Sequence, residues 1–300
     1  MRNALTILCL LSVLLLLPGA ARPCSVFTAD DGVRVLAGNN EDYYAQPPTA
    51  IWFVPPAADK YGFAAYGYTN DFFSQGGMND QGLFFDGLAT PYLDAETDPS
   101  GLPLTAGFLE DVLQRCATVD EAINRLFEYN LDGLIQYCQL LFADRFGDAA
   151  IVEGDEIIRK EDNYLIATNF YHSHPELGYY PCERYEVLEE MMQDVQVTRD
   201  YFAAMADAAR QGETVESEIF TRYTTVADLV EGVLYLYYEL DYSNYLAFNL
   251  AEELADGGGT YLMDELFGDD DNPSDDDDNN NDDDDQSDDD DDDDDDGCGC

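Results

Sequence analysis

Apolar residues between positions 24 and 268 are spaced in two ways, and the first is typical of short β-strands. Residues 25–28 and 33–37 are two such runs, and Asp30, Asp31 and Gly32 between them predict a hairpin turn. Polar or glycine-rich positions bound the other runs in the same manner. Strands are therefore predicted at residues 50–54, 62–66, 83–88, 137–142, 149–152, 164–168, 233–238 and 245–249.

The second spacing is helical, with apolar residues three or four positions apart. It predicts helices at residues 105–116, 118–129, 182–195 and 200–210. Thr118 with Glu121 three positions later resembles a capping box, which marks the start of the second helix. The order is strands, helices, strands, helices and strands. This order predicts one α+β domain in which sheets lie between helices.

The amino-terminal end has the pattern of an export signal. Arg2 supplies a positive charge, residues 4–17 are almost purely apolar, and small residues follow at Gly19, Ala20 and Ala21. The apolar run is shorter than the roughly 20 residues that a membrane-spanning helix needs. We therefore expect an exported protein, in the periplasm, outside the cell or on its surface.

The other end is a tail of different composition. Residues 269–296 contain twenty aspartates and no run of apolar residues, so they cannot bury enough surface to offset chain entropy. We expect residues 269–300 to be disordered and the folded domain to span residues 24–268. Without those twenty charges the formal net charge of −51 falls only to −31, so the domain itself is acidic.

This acidity argues against a nucleic-acid partner, because phosphate contacts need Lys and Arg side chains. The tail has two interpretations, a solvated spacer or a weak calcium-binding stalk, although it lacks the spacing of an EF-hand. Its last four residues, 297–300, read Gly-Cys-Gly-Cys and resemble the cysteine-bearing ends of surface-sorting tails. Surface attachment through the tail is therefore a further expectation.

Metal binding and disulfide bonding have weak support in the sequence. No pair of cysteines has the CxxC spacing of a zinc site, and His172 with His174 would need ligands that the sequence does not identify. No metal or cofactor is therefore predicted. Pairing among three cysteines is open, because each is equally compatible with a buried free thiol. These three are Cys116, Cys138 and Cys182.

Cys24 is the candidate nucleophile because it begins the first predicted strand directly after the signal region. If Cys24 became the amino terminus, its own α-amine would lie next to its thiol. An α-amine titrates near ~7.7 to 8.0, so it can act as a general base at neutral pH. A catalytic histidine would then not be required.

Two segments of the chain carry distinctive short motifs. Residues 38–43 read Gly-Asn-Asn-Glu-Asp-Tyr, and residues 77–83 read Gly-Met-Asn-Asp-Gln-Gly-Leu. They resemble the Gly-Arg-Asn-x-Asp-Trp block and the Gly-Met-Asn-Glu-Lys-Gly-Leu turn of the amino-terminal-nucleophile (Ntn) hydrolases of the choloylglycine hydrolase, penicillin V acylase and isopenicillin N acyltransferase group. The resemblance implies that Asp42 holds the amine of the nucleophile and that the backbone N–H of Asn79 contacts the oxyanion. Asn39 replaces the arginine of bile-salt enzymes.

Two later segments extend the resemblance. Residues 167–170, Ala-Thr-Asn-Phe, resemble the segment in which Asn169 completes the oxyanion hole with its side-chain amide. Residues 182–185, Cys-Glu-Arg-Tyr, resemble a Ser-Arg-Phe element whose arginine lies beside the nucleophile. Arg184 would then stabilise the thiolate and anchor Asp42.

The resemblance implies a four-layer αββα sandwich of antiparallel sheets and an enzyme that cleaves small linear amides. N-acyl amino acids and penicillin V-like amides are the implied substrates, and either water or an amine can take the acyl group, so hydrolase and acyltransferase both stay open. Residues 1–23 would comprise the signal peptide and a short stub, because cleavage after Ala21 would leave Arg22 and Pro23 to be removed.

Two alternatives are compatible with the sequence. The first is a secreted surface or binding protein that keeps the fold without the activity, which the acidic tail would suit. The second is a papain-like protease, whose nucleophile begins a helix and needs a distant histidine. Cys24 begins a predicted strand, which argues against the second alternative.

Overall fold

The computed structural model describes residues 24–154 and 156–268. The predictions for the signal region, for the stub before Cys24 and for the Asp-rich tail lie outside these residues and stay predictions. Among the helices of the described residues, none has the length and apolarity that a membrane span requires.

The described residues contain fourteen strands, including every strand that the apolar pattern predicts. In chain order, β1 to β14 are Ser25–Asp30, Val35–Tyr43, Thr49–Val54, Phe63–Tyr68, Ser74–Asn79, Leu83–Ala89, Cys138–Asp144, Ala149–Glu153, Glu156–Arg159, Tyr164–Ala167, Phe220–Asp228, Val233–Tyr238, Leu246–Asn249 and Gly259–Leu262. The pattern missed four of them: β5, β9, β11 and β14.

Six helices accompany the strands: α1 to α6 are Phe108–Arg115, Val119–Leu126, Glu183–Met192, Arg199–Ala208, Leu250–Ala255 and Met263–Phe267. The first four agree with the helical spacing. The Thr118 hydroxyl caps α2 by accepting from the Glu121 N–H at 3.3 Å, which satisfies one of the helix's orphan amide groups. The Glu121 carboxylate accepts from the Ala117 N–H at 2.8 Å, one residue before the N-cap, so the capping box is only half formed.

The strands form two antiparallel sheets. The first has the order β10-β1-β2-β11-β12-β13, and the second has the order β14-β3-β4-β5-β6-β7-β8-β9. The predicted hairpin joins β1 to β2, with Ser25 opposite Asn40 at one end and Asp30 opposite Val35 at the turn. One of the four strands that sequence analysis missed, β11, pairs with β2 and β12 and therefore lies in the middle of the first sheet.

Three apolar clusters separate four layers. One cluster lies between the sheets and includes Val26 and Ile51. A second cluster packs α1 and α2 against the second sheet. A third cluster, which includes Phe27 and Phe202, packs α3 and α4 against the first sheet. Because both faces of each sheet are covered, neighbouring residues such as Val26 and Phe27 are both buried, on opposite faces. The αββα sandwich is therefore confirmed.

Candidate functional site

Cys24 directly precedes β1, which lies between β10 and β2 in the first sheet. The residue is 4% exposed and belongs to the cluster between the sheets. The next residue, Ser25, pairs with Asn40, which brings Cys24 beside Glu41 of β2. The Cys24 Sγ lies 3.9 Å from the carbonyl oxygen of Asp42. The sheet register therefore places two carboxyl-bearing residues next to this thiol.

Asn169 reaches Cys24 from the other neighbouring strand. It follows β10, and the register of β10 with β1 pairs Val26 with Ala167. The Cys24 backbone nitrogen donates to the Asn169 Oδ1 at 2.8 Å. The Asn169 Nδ2 donates to the carbonyl oxygen of Ala89 at 2.9 Å. The Asn169 amide group is thus held in one orientation between the two sheets.

Arg184, in the first turn of α3, connects the parts of the site. Its guanidinium donates to the Cys24 carbonyl oxygen at 2.6 Å and to the Asn169 Oδ1 at 2.8 Å. The same group lies 3.7 Å from the Asp42 Oδ2. One planar guanidinium therefore contacts three of the predicted site residues, which suits its fixed fork of donors.

Asp42 is fully buried on β2. Its Oδ1 accepts from the Thr221 hydroxyl of β11 at 2.6 Å. Burial raises the pKa of Asp42 to about 7, although Arg184 and the Thr221 hydrogen bond act in the opposite direction. This carboxyl group therefore changes charge near neutral pH.

The Cys24 thiol is held in its neutral form. Burial raises its pKa well above the ordinary value, and the negative charges of Glu41, Asp42 and Asp86 raise it further. A hydrogen bond to the Asp42 backbone lowers the pKa by less. A thiolate is the reactive form of cysteine, so this thiol needs either a base or a nearby cation in order to react.

A cavity of about 260 Å³ opens next to the thiol, where the two sheets end. It is lined by Cys24, Glu41, Tyr43, Pro47, Tyr68, Asn70, Asp71, Gln75, Gly87 and Ala89. The Tyr68 hydroxyl donates to the Glu41 Oε1 at 2.8 Å. Asp71 is exposed at the cavity mouth. The cavity is thus polar, with carboxylates at its base and mouth, and it has room for a small molecule.

The expectation that Asn79 contributes to the oxyanion site is wrong. Asn79 ends β5 opposite Phe63, whereas Gln75 and Tyr68, at the other ends of these two strands, line the cavity. Gln75 and Asn79 are four residue steps apart along the strand, or about 13 Å. The Asn79 Nδ2 instead donates to two carbonyls at the end of α1, those of Leu113 and Cys116, each at 2.7 Å.

The structure also identifies site residues that the motifs had not singled out. Thr221 orients Asp42, Glu41 lies beside the thiol, and Ala89 accepts the Asn169 amide. Glu41 could have been found, because β-strand pairing brings it opposite Cys24 once the hairpin turn is known. Thr221 could not, because its strand had not been predicted.

The structure also shows the surroundings of His172 and the state of the cysteines that the sequence left open. Within residues 24–154 and 156–268, no group of three or more His, Cys, Asp or Glu side chains could hold a metal ion. His172 packs against the Phe170 and Tyr185 rings, and burial lowers its pKa. The cysteines at 116, 138 and 182 are free thiols, as is Cys24.

Comparison with known proteins agrees with the fold. The solved structures that are similar include a variant of conjugated bile acid hydrolase from Clostridium perfringens and penicillin V acylase from Agrobacterium tumefaciens. The first has a TM-score of 0.62 and 17% sequence identity, and the match covers 80% of this chain and 97% of the hydrolase. The second has a TM-score of 0.58 and 16% identity, covering 76% and 87%. At such identities the likeness shows the shared fold.

The sequence itself identifies the family. No curated protein sequence matches the chain. The model of the acyl-coenzyme A:6-aminopenicillanic acid acyl-transferase family matches residues 28–238, which is more than half of the chain. The expected resemblance is thereby confirmed, and the chain belongs to this family, within the Ntn group of enzymes that act on the carbon–nitrogen bonds of linear amides.

Proposed function

We propose that this protein is an exported cysteine amidohydrolase whose nucleophile is the thiol of Cys24, freed as the amino terminus. The observation that carries the proposal is the set of contacts around Cys24. Its backbone nitrogen is bound by Asn169, its carbonyl oxygen by Arg184, and its thiol faces the polar cavity. The thiol of Cys24, the backbone nitrogen of the same residue and a cavity large enough for a small substrate therefore lie together.

The reaction begins when the Cys24 Sγ attacks the carbonyl carbon of a linear amide. A sulfur–carbon bond forms, the carbonyl becomes an oxyanion, and the thiol proton passes to the α-amine of the same residue. The carbon–nitrogen bond then breaks, and the departing amine takes this proton. Water cleaves the remaining thioester to give the acid and restore the thiol. If an amine replaces water, the same site transfers the acyl group.

We assign two donors to the oxyanion. The first is the side-chain amide of Asn169, whose Nδ2 donates to the carbonyl oxygen of Ala89 at 2.9 Å, at the wall of the cavity. The second donor is the backbone N–H of Ala89. Thr90 donates to the Tyr137 carbonyl on the β7 side, and successive residues of a strand point their backbone groups to opposite sides. The Ala89 N–H therefore lies on the Asn169 side. It takes the role that sequence analysis gave to Asn79.

Asp42 and Arg184 position the nucleophile and control its charge. A free α-amine at Cys24 would be an ammonium group below its pKa, and the ionised Asp42 would stabilise it. Arg184 favours the ionised form of Asp42 and fixes the backbone of Cys24. The two residues therefore act through Cys24, without contacting the substrate.

Exposure of Cys24 requires two cleavages in this proposal. A signal peptidase would act after Ala21, and the Arg22-Pro23 stub would be removed by self-cleavage or by an aminopeptidase. Amino-terminal sequencing and intact mass of the active enzyme test this step. Active enzyme that begins at Arg22 would refute the proposed base.

N-acyl amino acids and phenoxyacetyl amides such as penicillin V are the proposed substrates, and they form the first panel for the activity test. Wild type should release the free acid or amine, and Cys24→Ala should release neither. Cys24→Ser is the matched control, because it keeps a weaker nucleophile of similar size. Activity that persists in Cys24→Ala would exclude this mechanism. A folded wild type that cleaves no amide would favour the alternative of a secreted surface or binding protein.

A further inference from the structure

A second cavity adjoins the polar one, on the other side of the second sheet. It measures about 130 Å³ and shares three lining residues with the first cavity, Gln75, Gly87 and Ala89. Its remaining walls are mainly apolar, from β7, α1 and the segment before β7, and include Leu109, Leu134 and Leu140. A polar and an apolar space thus share part of one wall near the nucleophile.

The two spaces meet where strands β5 and β6 stop pairing. Their ladder runs from Met78 opposite Phe84 to Gly76 opposite Asp86. Gln75 and Gly87 are the next residues, and they continue both strands without further pairing. The sheet is therefore interrupted at the position that both cavities share.

Gly87 keeps this interruption open. A Cβ at this position would lie 3.4 Å from the Leu140 side chain, 3.5 Å from the Gln75 carbonyl oxygen and 3.9 Å from the Cys138 Sγ. These are ordinary van der Waals contacts, so a methyl group fits without displacing its neighbours. It would occupy the boundary between the cavities, because Leu140 and Cys138 line the apolar one.

We propose that the apolar cavity binds the acyl chain of the substrate, which passes from Cys24 between β5 and β6 at Gly87. This inference rests on the proposed function and specifies its substrate class: linear amides with an unbranched aliphatic acyl chain. The amine half then lies in the polar cavity with Glu41 and Asp71. A volume of 130 Å³ holds about four groups the size of a water molecule, so the chain that fills it is of medium length.

The division of polarity supports this orientation. An aliphatic chain gains free energy by leaving water for the space between Leu109, Leu134 and Leu140. The amine product gains an ammonium group near neutral pH, which the Glu41 and Asp71 carboxylates attract, whereas the acid product has only a negative charge and would be repelled from them. The reverse orientation would place the apolar chain among carboxylates and leave the apolar cavity without an occupant.

The test separates binding from chemistry. Affinities of primary amides from acetamide to decanamide are measured by calorimetry on the full chain carrying Cys24→Ala, and hydrolysis of the matching N-acyl compounds is measured separately on wild type. Affinity should increase about fourfold for each added methylene group until the cavity is full and should then stop increasing. Gly87→Ala in the same background should weaken binding of the longer amides by about fourfold to sixteenfold, the burial of one or two methylene groups.

Two further variants keep the test decisive. Leu134→Ala enlarges the cavity from its half-buried side and should move the limit to longer chains, even if Gly87→Ala fails to fold. Gly107→Ala is the matched control, because its Cβ would meet only the Glu110 carboxylate at 3.7 Å, outside both cavities. It should leave the chain-length profile unchanged.

The outcomes distinguish the two proposals. An affinity that does not depend on chain length, or a profile that neither Gly87→Ala nor Leu134→Ala alters, overturns the acyl-chain site, even if wild type hydrolyses amides. A chain-length profile that both variants alter as expected supports the site. If wild type then hydrolyses none of the amides, the site stands and the proposed catalysis fails.

Discussion

Arg184 should be far more important for stability in alkaline than in acidic solution. Replacing Arg184 by Met removes the guanidinium that lies 3.7 Å from the Asp42 carboxylate while keeping much of the side-chain volume. Both groups are poorly accessible to solvent, with side-chain exposures of 15% and 0%. The substitution should therefore leave a buried carboxyl group without its nearby cation.

The size of the effect follows from the distance and the pKa. Two unit charges 3.7 Å apart attract by about 4 kcal/mol at an effective dielectric constant of about 20, which corresponds to about 3 pKa units. The pKa of Asp42 would then rise from about 7 to about 10 in the variant. Folding raises this pKa above the unfolded value of about 3.9, so the native state binds more protons and loses stability as pH rises.

When the pH rises from 5 to 9, Asp42 alone should lower the free energy of unfolding of wild type by about 3 kcal/mol, because its carboxyl group titrates near the middle of that range in the native state. The Arg184→Met variant should lose about twice as much, because its carboxyl group stays protonated over nearly the whole range. The destabilisation caused by the substitution should therefore increase by about 3 kcal/mol from pH 5 to pH 9. Other titrating groups, such as Asp86, are present in both chains and cancel in the difference.

Urea unfolding at the two pH values measures this difference. All chains carry Cys24→Ala, so that their amino termini are the same, and Asp42→Asn alone and with Arg184→Met completes a double-mutant cycle. In the Asp42→Asn background, the effect of Arg184→Met should be the same at both pH values. An effect that is equal at both pH values with Asp42 present, or a pH dependence that survives Asp42→Asn, would refute the electrostatic role given to this pair.

Three shorter predictions concern reactivity. Asn169→Leu should lower kcat on a simple amide by about 10² to 10³ with little change in KM, because an oxyanion donor acts mainly in the transition state; a kcat within a few-fold of wild type would contradict this role. Asp71→Lys should lower KM for an N-acyl amino acid by about threefold at low salt but not for its neutral carboxamide, and equal effects on both would argue against a charge effect. Iodoacetamide should modify Cys24 of the uncleaved chain at pH 7 at least about tenfold more slowly than free cysteine, measured by peptide mass spectrometry, because burial and three carboxylates raise the pKa of the thiol.

The sequence predicted the sandwich well but missed the middle of one sheet. Strand β11 contains Thr221, Thr224 and Thr225, and it lacks the long apolar run expected of a buried central strand. These hydroxyl groups are buried because each donates to a polar side chain on β2, at Asp42, Asn40 and Asn39 respectively. Buried polar residues that satisfy one another across two strands cannot be recognised from either strand alone.

Four of the five candidate site residues lie together in the structure, and one does not. Cys24, Asp42, Asn169 and Arg184 meet as the motifs implied. For Asn79 the motif was recognised but its position along β5 was not, because a turn motif does not show which end of a strand faces a site 55 residues earlier in the chain. The interstrand register decides that question, and it places Asn79 against α1.

In the proposed mechanism, the charges around Cys24 connect its activity to its processing. The carboxyl groups of Glu41, Asp42 and Asp86 all raise the pKa of the thiol while its nitrogen is an uncharged peptide group. Release of the α-amine would place a cation at the atom that Asn169 binds, and this cation would lower the pKa of the thiol and would itself be stabilised by the same carboxylates. The acidic groups that raise the pKa of the thiol in the uncleaved chain would therefore hold the proposed base in place after cleavage.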